Sequence, residues 1–146
     1  MGVDTISKHF HCPVYISSDD KNNFYNPDMN LSRAITKKPF VPDCDVMTFN
    51  DGDILNIYGI RLKCVMTPGH TQGSACFFTD DTIFTGDTVF SLSAGRCDFP
   101  GGSDIQIKKS IKKIKILISD NNYRILPGHG PETTADFELK NNEYFK

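Results

Sequence analysis

From Val46 onward the chain alternates short apolar runs with polar breaks. Val46–Phe49, Asp53–Ile57, Ile60–Met66, Ser74–Thr79 and Thr82–Thr85 are rich in β-branched and aromatic residues, and Asn50-Asp51-Gly52, Tyr58-Gly59 and Asp80-Asp81 punctuate them. That spacing predicts a strand meander. The period then changes. Ile107, Ile111, Ile114 and Ile118 fall at i, i+4, i+7 and i+11, the spacing of one helical face, and Ser103 with Gln106 has capping-box spacing. Lys108, Lys109, Lys112, Lys113 and Lys115 lie largely off that stripe and are expected to form a solvated outer face. Tyr123–Leu126 reads as a further strand, and Thr133 with Asp136 is expected to open a last helix reaching about Asn142. Ahead of Val46 the pattern is weaker. Residues 3–10 read as the tail of a helix, Pro13–Ile16 as a short strand, and Asp19-Asp20-Lys21 as one helical turn stopped at Asn26-Pro27. Residues 26–45 hold three prolines and no period, so a long irregular loop is expected there, and a second, glycine-rich loop over 91–103. The pattern is that of a mixed α/β fold without repeats, read as one domain over residues 1–146.

Composition narrows the partners. A net charge of −2 and a pI near 6.0 argue against a general nucleic-acid binder. No apolar run approaches the ~20 residues of a membrane span. Cys12, Cys44, Cys64, Cys76 and Cys97 are odd in number and form no Cys-x-x-Cys pair. Reduced thiols and a cytoplasmic location are therefore expected.

Three loops carry the candidate chemistry. Thr67-Pro68-Gly69-His70-Thr71, Thr85-Gly86-Asp87 and Pro127-Gly128-His129-Gly130 each follow an apolar run, and each places a metal-ligand type immediately after a glycine. Loops at strand ends are where scaffolds carry function. Two imidazoles and a carboxylate suit zinc, or non-haem iron or manganese, so His70, Asp87 and His129 are the candidate metal ligands. His9 and His11 have His-x-His spacing but sit at a helix-to-strand junction before Cys12-Pro13, and a surface role is expected for them. Arg96 and Asp98 are candidates either for touching substrate or for locking their loop as an ion pair. Cys97, between them, lacks a neighbouring base and reads as an inert thiol.

In order, Thr67–Thr71, Gly86-Asp87, Gly95-Arg96-Cys97-Asp98-Phe99-Pro100-Gly101-Gly102 and Leu126–Pro131 resemble the motifs of the metallo-β-lactamase superfamily, in particular its small glyoxalase II-like hydrolases. The resemblance implies an αββα sandwich. It implies that the residue matching His70 binds a first ion, that the one matching Asp87 bridges two and is catalytic, and that the one matching His129 binds the second. It implies zinc as the cofactor, with two ions in a complete protein and iron or manganese as alternatives. The expected reaction is hydrolysis of a small thioester such as an acylglutathione by metal-activated water. The family's first metal motif, His-x-His-x-Asp-His, does not occur in the 146 residues, and Met1-Gly2-Val3-Asp4 resembles the segment that follows it. The chain is accordingly expected to be an N-terminally truncated form, poorly active alone, that self-associates or pairs with a partner chain. Alternatives are an iron-dependent sulfur (persulfide) dioxygenase-like protein and a non-catalytic fragment that binds a partner.

Overall fold

The computed structural model describes residues 2–146, and these fall into two units that divide between Phe49 and Asn50.

In the first unit, helix α1 (Gly2–Phe10) leads through Cys12-Pro13 into strand β1 (Val14–Ser17). The single turn α2 (Lys21–Phe24) follows Asp20, as its sequence suggests, and gives way before Pro27. The segment expected to be irregular contains a short helix, α3 (Ser32–Thr36), bounded by Leu31 and Lys37, both in the left-handed region. Five residues show no period, and side chains supply the order here. The Asn30 amide donates to the carbonyls of Phe24 (2.9 Å) and Phe40 (3.1 Å), and the Phe40 N–H donates to the buried Ser32 hydroxyl (2.9 Å). Strand β2 (Val46–Phe49) pairs in parallel with β1, Val14 opposite Val46 and Ser17 opposite Phe49.

The second unit is built on β3 (Ile54–Ile57), β4 (Ile60–Met66), β5 (Ala75–Phe78) and β6 (Thr82–Gly86), the expected antiparallel meander. Between β6 and the body of the glycine-rich loop lies a small hairpin, β7 (Val89–Phe90) and β8 (Ser93–Ala94), that takes in the first residues of the loop and that the pattern does not announce. Helix α4 (Asp104–Leu117) crosses to β9 (Arg124–Pro127), which pairs in parallel with β6. Strand β10 (Thr133–Thr134), helix α5 (Ala135–Asn141) and a 3-10 turn (Glu143–Phe145) complete the unit. The six-stranded sheet runs β10-β9-β6-β5-β4-β3.

Helix α4 forms where its period requires. Ser103 caps it, its hydroxyl accepting the Gln106 N–H at 3.3 Å, and Ile107, Ile111, Ile114 and Ile118 are buried. They pack on Val65, Cys76, Phe78, Ile83 and Ile125 of the sheet, with Phe145 closing the cluster. The lysine face is not wholly solvated: Lys113 reaches Asp51 (2.9 Å) and the Met66 carbonyl (3.1 Å), and Lys115 bonds the Phe145 carbonyl. Partial burial opposes charge on Asp51, but Lys113 and the Met66 N–H outweigh it and hold the carboxyl below its ordinary range. The last helix is capped by Thr134, whose hydroxyl accepts from Phe137, while Thr133 is in strand β10. Among the described residues no helix is long and apolar enough to cross a membrane.

Candidate metal centre

Strand direction gathers the three loops. β4 and β6 are each antiparallel to β5 and so run the same way, and β9 is parallel to β6. The segments carrying His70, Asp87 and His129 therefore all leave the sheet at the same end of its strands.

Two contacts explain the glycines. At Gly128 an added Cβ would lie 2.4 Å from Asp87 Oδ1 and 3.1 Å from the Gly86 carbonyl carbon, so the carboxylate occupies the space a side chain would need. The Gly128 N–H donates to the Gly86 carbonyl at 2.8 Å, tying the Asp87 and His129 loops together. At Gly69, with φ +143°, a Cβ would meet the Ile107 backbone at 2.4 Å. That close approach seats the loop on the first turns of α4, where the Ser103 N–H donates to the Gly69 carbonyl (2.8 Å) and the Ser110 hydroxyl to the Pro68 carbonyl (2.7 Å).

Beneath the loops lies a buried hydroxyl cluster. The Thr67 and Thr88 hydroxyls are 2.8 Å apart, Thr67 also meets Cys76 Sγ at 3.6 Å, and the Thr85 hydroxyl donates to the Val89 carbonyl at 2.7 Å. Thr67 and Thr88 thereby join the His70 segment to the Asp87 segment from below. Burial pushes the Cys76 thiol up to about 11. Nothing in the local pattern marks Thr67 and Thr88 as partners, because they are 21 residues apart.

Asp87 is the shared member. Its Oδ2 lies 3.2 Å from His70 Nε2, and its Oδ1 lies 3.7 Å from His129 Nε2. Donors about 2.0–2.2 Å from a tetrahedral ion stand roughly 3.3–3.6 Å from one another, so each pair has close to the spacing that an ion between its members would impose. His70 adds a stronger observation. Its Nδ1 is 2.7 Å from the Arg96 carbonyl, which only accepts, so Nδ1 carries the proton. In the neutral ring Nε2 then turns a lone pair towards a carboxylate oxygen, a repulsive contact that a proton or a cation between them relieves. A carbonyl holding the outer nitrogen is also the arrangement that orients ligating imidazoles. Among the described residues no set of three or more His, Cys, Asp or Glu side chains is placed to hold one ion. The donor set thus fits two half-sites sharing Asp87, each with one nitrogen and one oxygen, and is short of the three protein ligands usual for catalytic zinc.

The half-sites differ. The His70 side chain is 17% exposed and meets the Phe99 ring edge-on at 5.4 Å. His129 is 79% exposed, and the aromatic ring against it is Phe90, at 6.1 Å.

Arg96 and Asp98 form the ion pair that a loop lock requires, and both side chains stay largely exposed. The guanidinium makes two bonds to the Asp98 carboxylate, at 2.6 and 2.5 Å, and lies 4.4 Å over the Phe99 ring. The Arg96 hydrogen bond is the main cause of a fall in the Asp98 carboxyl to about 2. The folded value is depressed, so the pair is intact above the ordinary carboxylate range and is lost as pH falls towards 2. NMR titration is expected to place the Asp98 midpoint close to 2 in the native chain and near the ordinary value of about 4 in Arg96→Ala. An unchanged midpoint would contradict the lock. His9 is helical and His11 follows in a turn at φ +50°, both exposed, so the same-face rule for strands does not apply to them.

The family described as the Metallo-beta-lactamase superfamily matches residues 1–129. The probable polyketide biosynthesis zinc-dependent hydrolase BaeB of Bacillus velezensis is 36% identical over 142 residues, covering 94% of this chain and 63% of that protein. The crystal structure of the BLEG-1 B3 metallo-beta-lactamase superposes with a TM-score of 0.87 at 30% identity, over 99% of this chain and 70% of that one. TTHA1623 in a di-iron-bound form gives 0.83 at 28% identity, over 98% and 70%.

Proposed function

Because the chain belongs to the metallo-β-lactamase superfamily, we propose that it is a metal-dependent hydrolase of the glyoxalase II-like type, acting on small thioesters such as acylglutathiones. The chain spans about two thirds of the length of the relatives it matches, so this reading concerns the part of the catalytic apparatus that it carries. The observation that carries the proposal is the Asp87 carboxylate turning one oxygen to each of two imidazoles. The zinc-dependent hydrolase among the relatives and the di-iron form among the structures support a divalent metal, zinc first and iron second. The loop from Gly95 to Gly102 supports the glyoxalase II-like assignment within the superfamily.

His70, Asp87 and His129 would hold the metal, which when bound supplies Lewis-acid polarisation of a carbonyl and activation of water. The chain's own residues do the rest. Arg96, through its carbonyl, keeps the His70 proton on Nδ1 and leaves Nε2 free to ligate. Asp87 supplies negative charge to both half-sites. Phe99 and Phe90 flank the two imidazoles with apolar edges. The Arg96 guanidinium, paired with Asp98 and lying over Phe99, contributes to loop shape.

The test compares zinc-loaded residues 1–146 with the same chain fused at its amino end to a segment carrying His-x-His-x-Asp-His. The fusion is expected to hydrolyse an acylglutathione faster by on the order of a hundredfold or more, because it supplies the missing donors and a group to orient water. Full turnover by the unfused chain would overturn the shortage of ligands. A metal-loaded fusion without thioester turnover would overturn the substrate, and oxygen uptake with a persulfide would move the reading to an iron-dependent oxidation.

A further inference from the structure

Glu138 is a carboxylate with no exposed surface, on α5, outside every motif that singles out the site. It is not idle. Its Oε1 accepts the Thr133 hydroxyl at 2.7 Å. Its Oε2 accepts both the Leu92 N–H, at 2.9 Å, and the Asn142 amide, at 2.8 Å. Asn142, also buried, passes the tie on: its amide donates to the Ser93 carbonyl at 3.1 Å and lies 3.4 Å from that of Phe90.

Two of the elements these partners belong to lie next to His129, the strand that follows it and the hairpin that carries Phe90. Thr133 lies four residues beyond His129, at the start of β10, and is paired with Ile125 on the strand that delivers the imidazole. Phe90, Leu92 and Ser93 form the β7–β8 hairpin, whose Phe90 ring rests against the His129 ring. Leu92 sits at its turn with φ +58°, a strained conformation for a leucine, and the Glu138 bond to its N–H holds it there. His129 itself is largely exposed, and among the described residues no carbonyl holds its ring as that of Arg96 holds His70.

We propose that Glu138 is the positioning residue for His129: through Thr133 on one side and, with Asn142, through the β7–β8 hairpin on the other, it fixes the distance between His129 and Asp87. The inference rests on the reading of His70, Asp87 and His129 as metal ligands. A buried carboxyl group with three donors around it is costly to leave half-satisfied, so its geometry is rigid. That rigidity is what an exposed imidazole 3.7 Å from its carboxylate lacks.

The experiment titrates residues 1–146 with zinc alone and measures the binding constants, with circular dichroism to follow folding. Glu138→Ala is expected to weaken zinc about tenfold, the scale of losing an outer support of a ligand. The same change in a His129→Ala background is expected to cost nothing further in zinc affinity, although it should still lower the melting temperature. Glu138→Gln keeps an acceptor for Leu92 and Asn142, and its amide can donate to a Thr133 hydroxyl turned to accept, so affinity is expected to return close to that of the parent chain. If Glu138→Ala does not fold, Thr133→Val takes its place, since it cuts one of the two ties while leaving Glu138 in position, and parent-like zinc affinity in that folded variant would overturn the proposal. An equal additional loss in the His129→Ala background would also overturn the proposal, by showing that Glu138 does not act through His129. Failure of the underlying reading looks different: Asp87→Ala would then bind zinc as the parent does.

Discussion

Asp87→Ala is expected to lower the zinc affinity of residues 1–146 by on the order of a hundredfold or more, while His9→Ala and His11→Ala change it by less than about twofold. Outer supports of a ligand already cost ten- to a hundredfold, and Asp87 is closer than any such support because both half-sites use it. Its two oxygens face different imidazoles, at 3.2 and 3.7 Å, so no single replacement restores either pair. Asp87→Asn separates charge from shape. It keeps the volume but replaces one anionic oxygen by an amide that donates and cannot ligate, and it is expected to lose nearly as much. His9 and His11 lie on α1 and the turn after it, exposed to solvent. Isothermal titration checks all four variants. Equal loss in the Asp87 and His9 variants would mean that the chain binds zinc somewhere other than the strand-end loops.

The second large effect comes from a single methyl group. Gly128→Ala is expected to weaken zinc at least about tenfold without removing any ligand. The new Cβ would arrive 2.4 Å from Asp87 Oδ1, well inside contact distance, with the Gly86 backbone at 3.1 Å blocking retreat on that side. Either the carboxylate rotates away from His129, or the His129 loop lifts and breaks the Gly128 N–H bond to Gly86. Both outcomes separate the same pair of donors. Gly2→Ala is the control, since a Cβ there meets nothing within 4 Å, and it is expected to leave zinc binding unchanged. Parent-like affinity in Gly128→Ala would show that the two loops have slack.

The parts of the molecule legible in its sequence are those written by local period and punctuation. The meander from Ile54 to Gly86 and the stripe Ile107, Ile111, Ile114 and Ile118 repeat often enough to be read, and they settle where the sheet and its covering helix lie. The glycine before each of His70, Asp87 and His129 likewise marks a ligand loop, through close packing at Gly69 and Gly128 and through a positive φ at Gly86. What escapes reading depends on partners distant in sequence. The β7–β8 hairpin has two-residue strands, and its order comes from Glu138 and Asn142, 46 and 49 residues from the Leu92 and Ser93 groups they bond. Helix α3 is held by the Asn30 and Ser32 side chains rather than by an apolar face. Thr133 and Thr134 are the same residue type side by side, and only the pairing of Thr133 with Ile125 and its bond to Glu138 leave the cap to Thr134. The Arg96–Asp98 spacing allowed substrate contact and an internal ion pair equally, and the guanidinium stacked over Phe99 belongs to the ion pair.

The hydroxyl cluster beneath the centre makes Cys76 a built-in clock. Its thiol has no exposed surface, and burial holds it protonated far above neutral pH, so an alkylating reagent finds neither access nor thiolate while the chain is closed. Cys76 touches the Thr67 hydroxyl and the Thr85 carbonyl, one on each of the two segments that hold His70 and Asp87. The rate at which that reagent labels Cys76 therefore counts the moments when those segments part. An ion that bridges the loops from above would slow that clock, so the rate of thiol modification records occupancy of the centre from the opposite side of the same two strands.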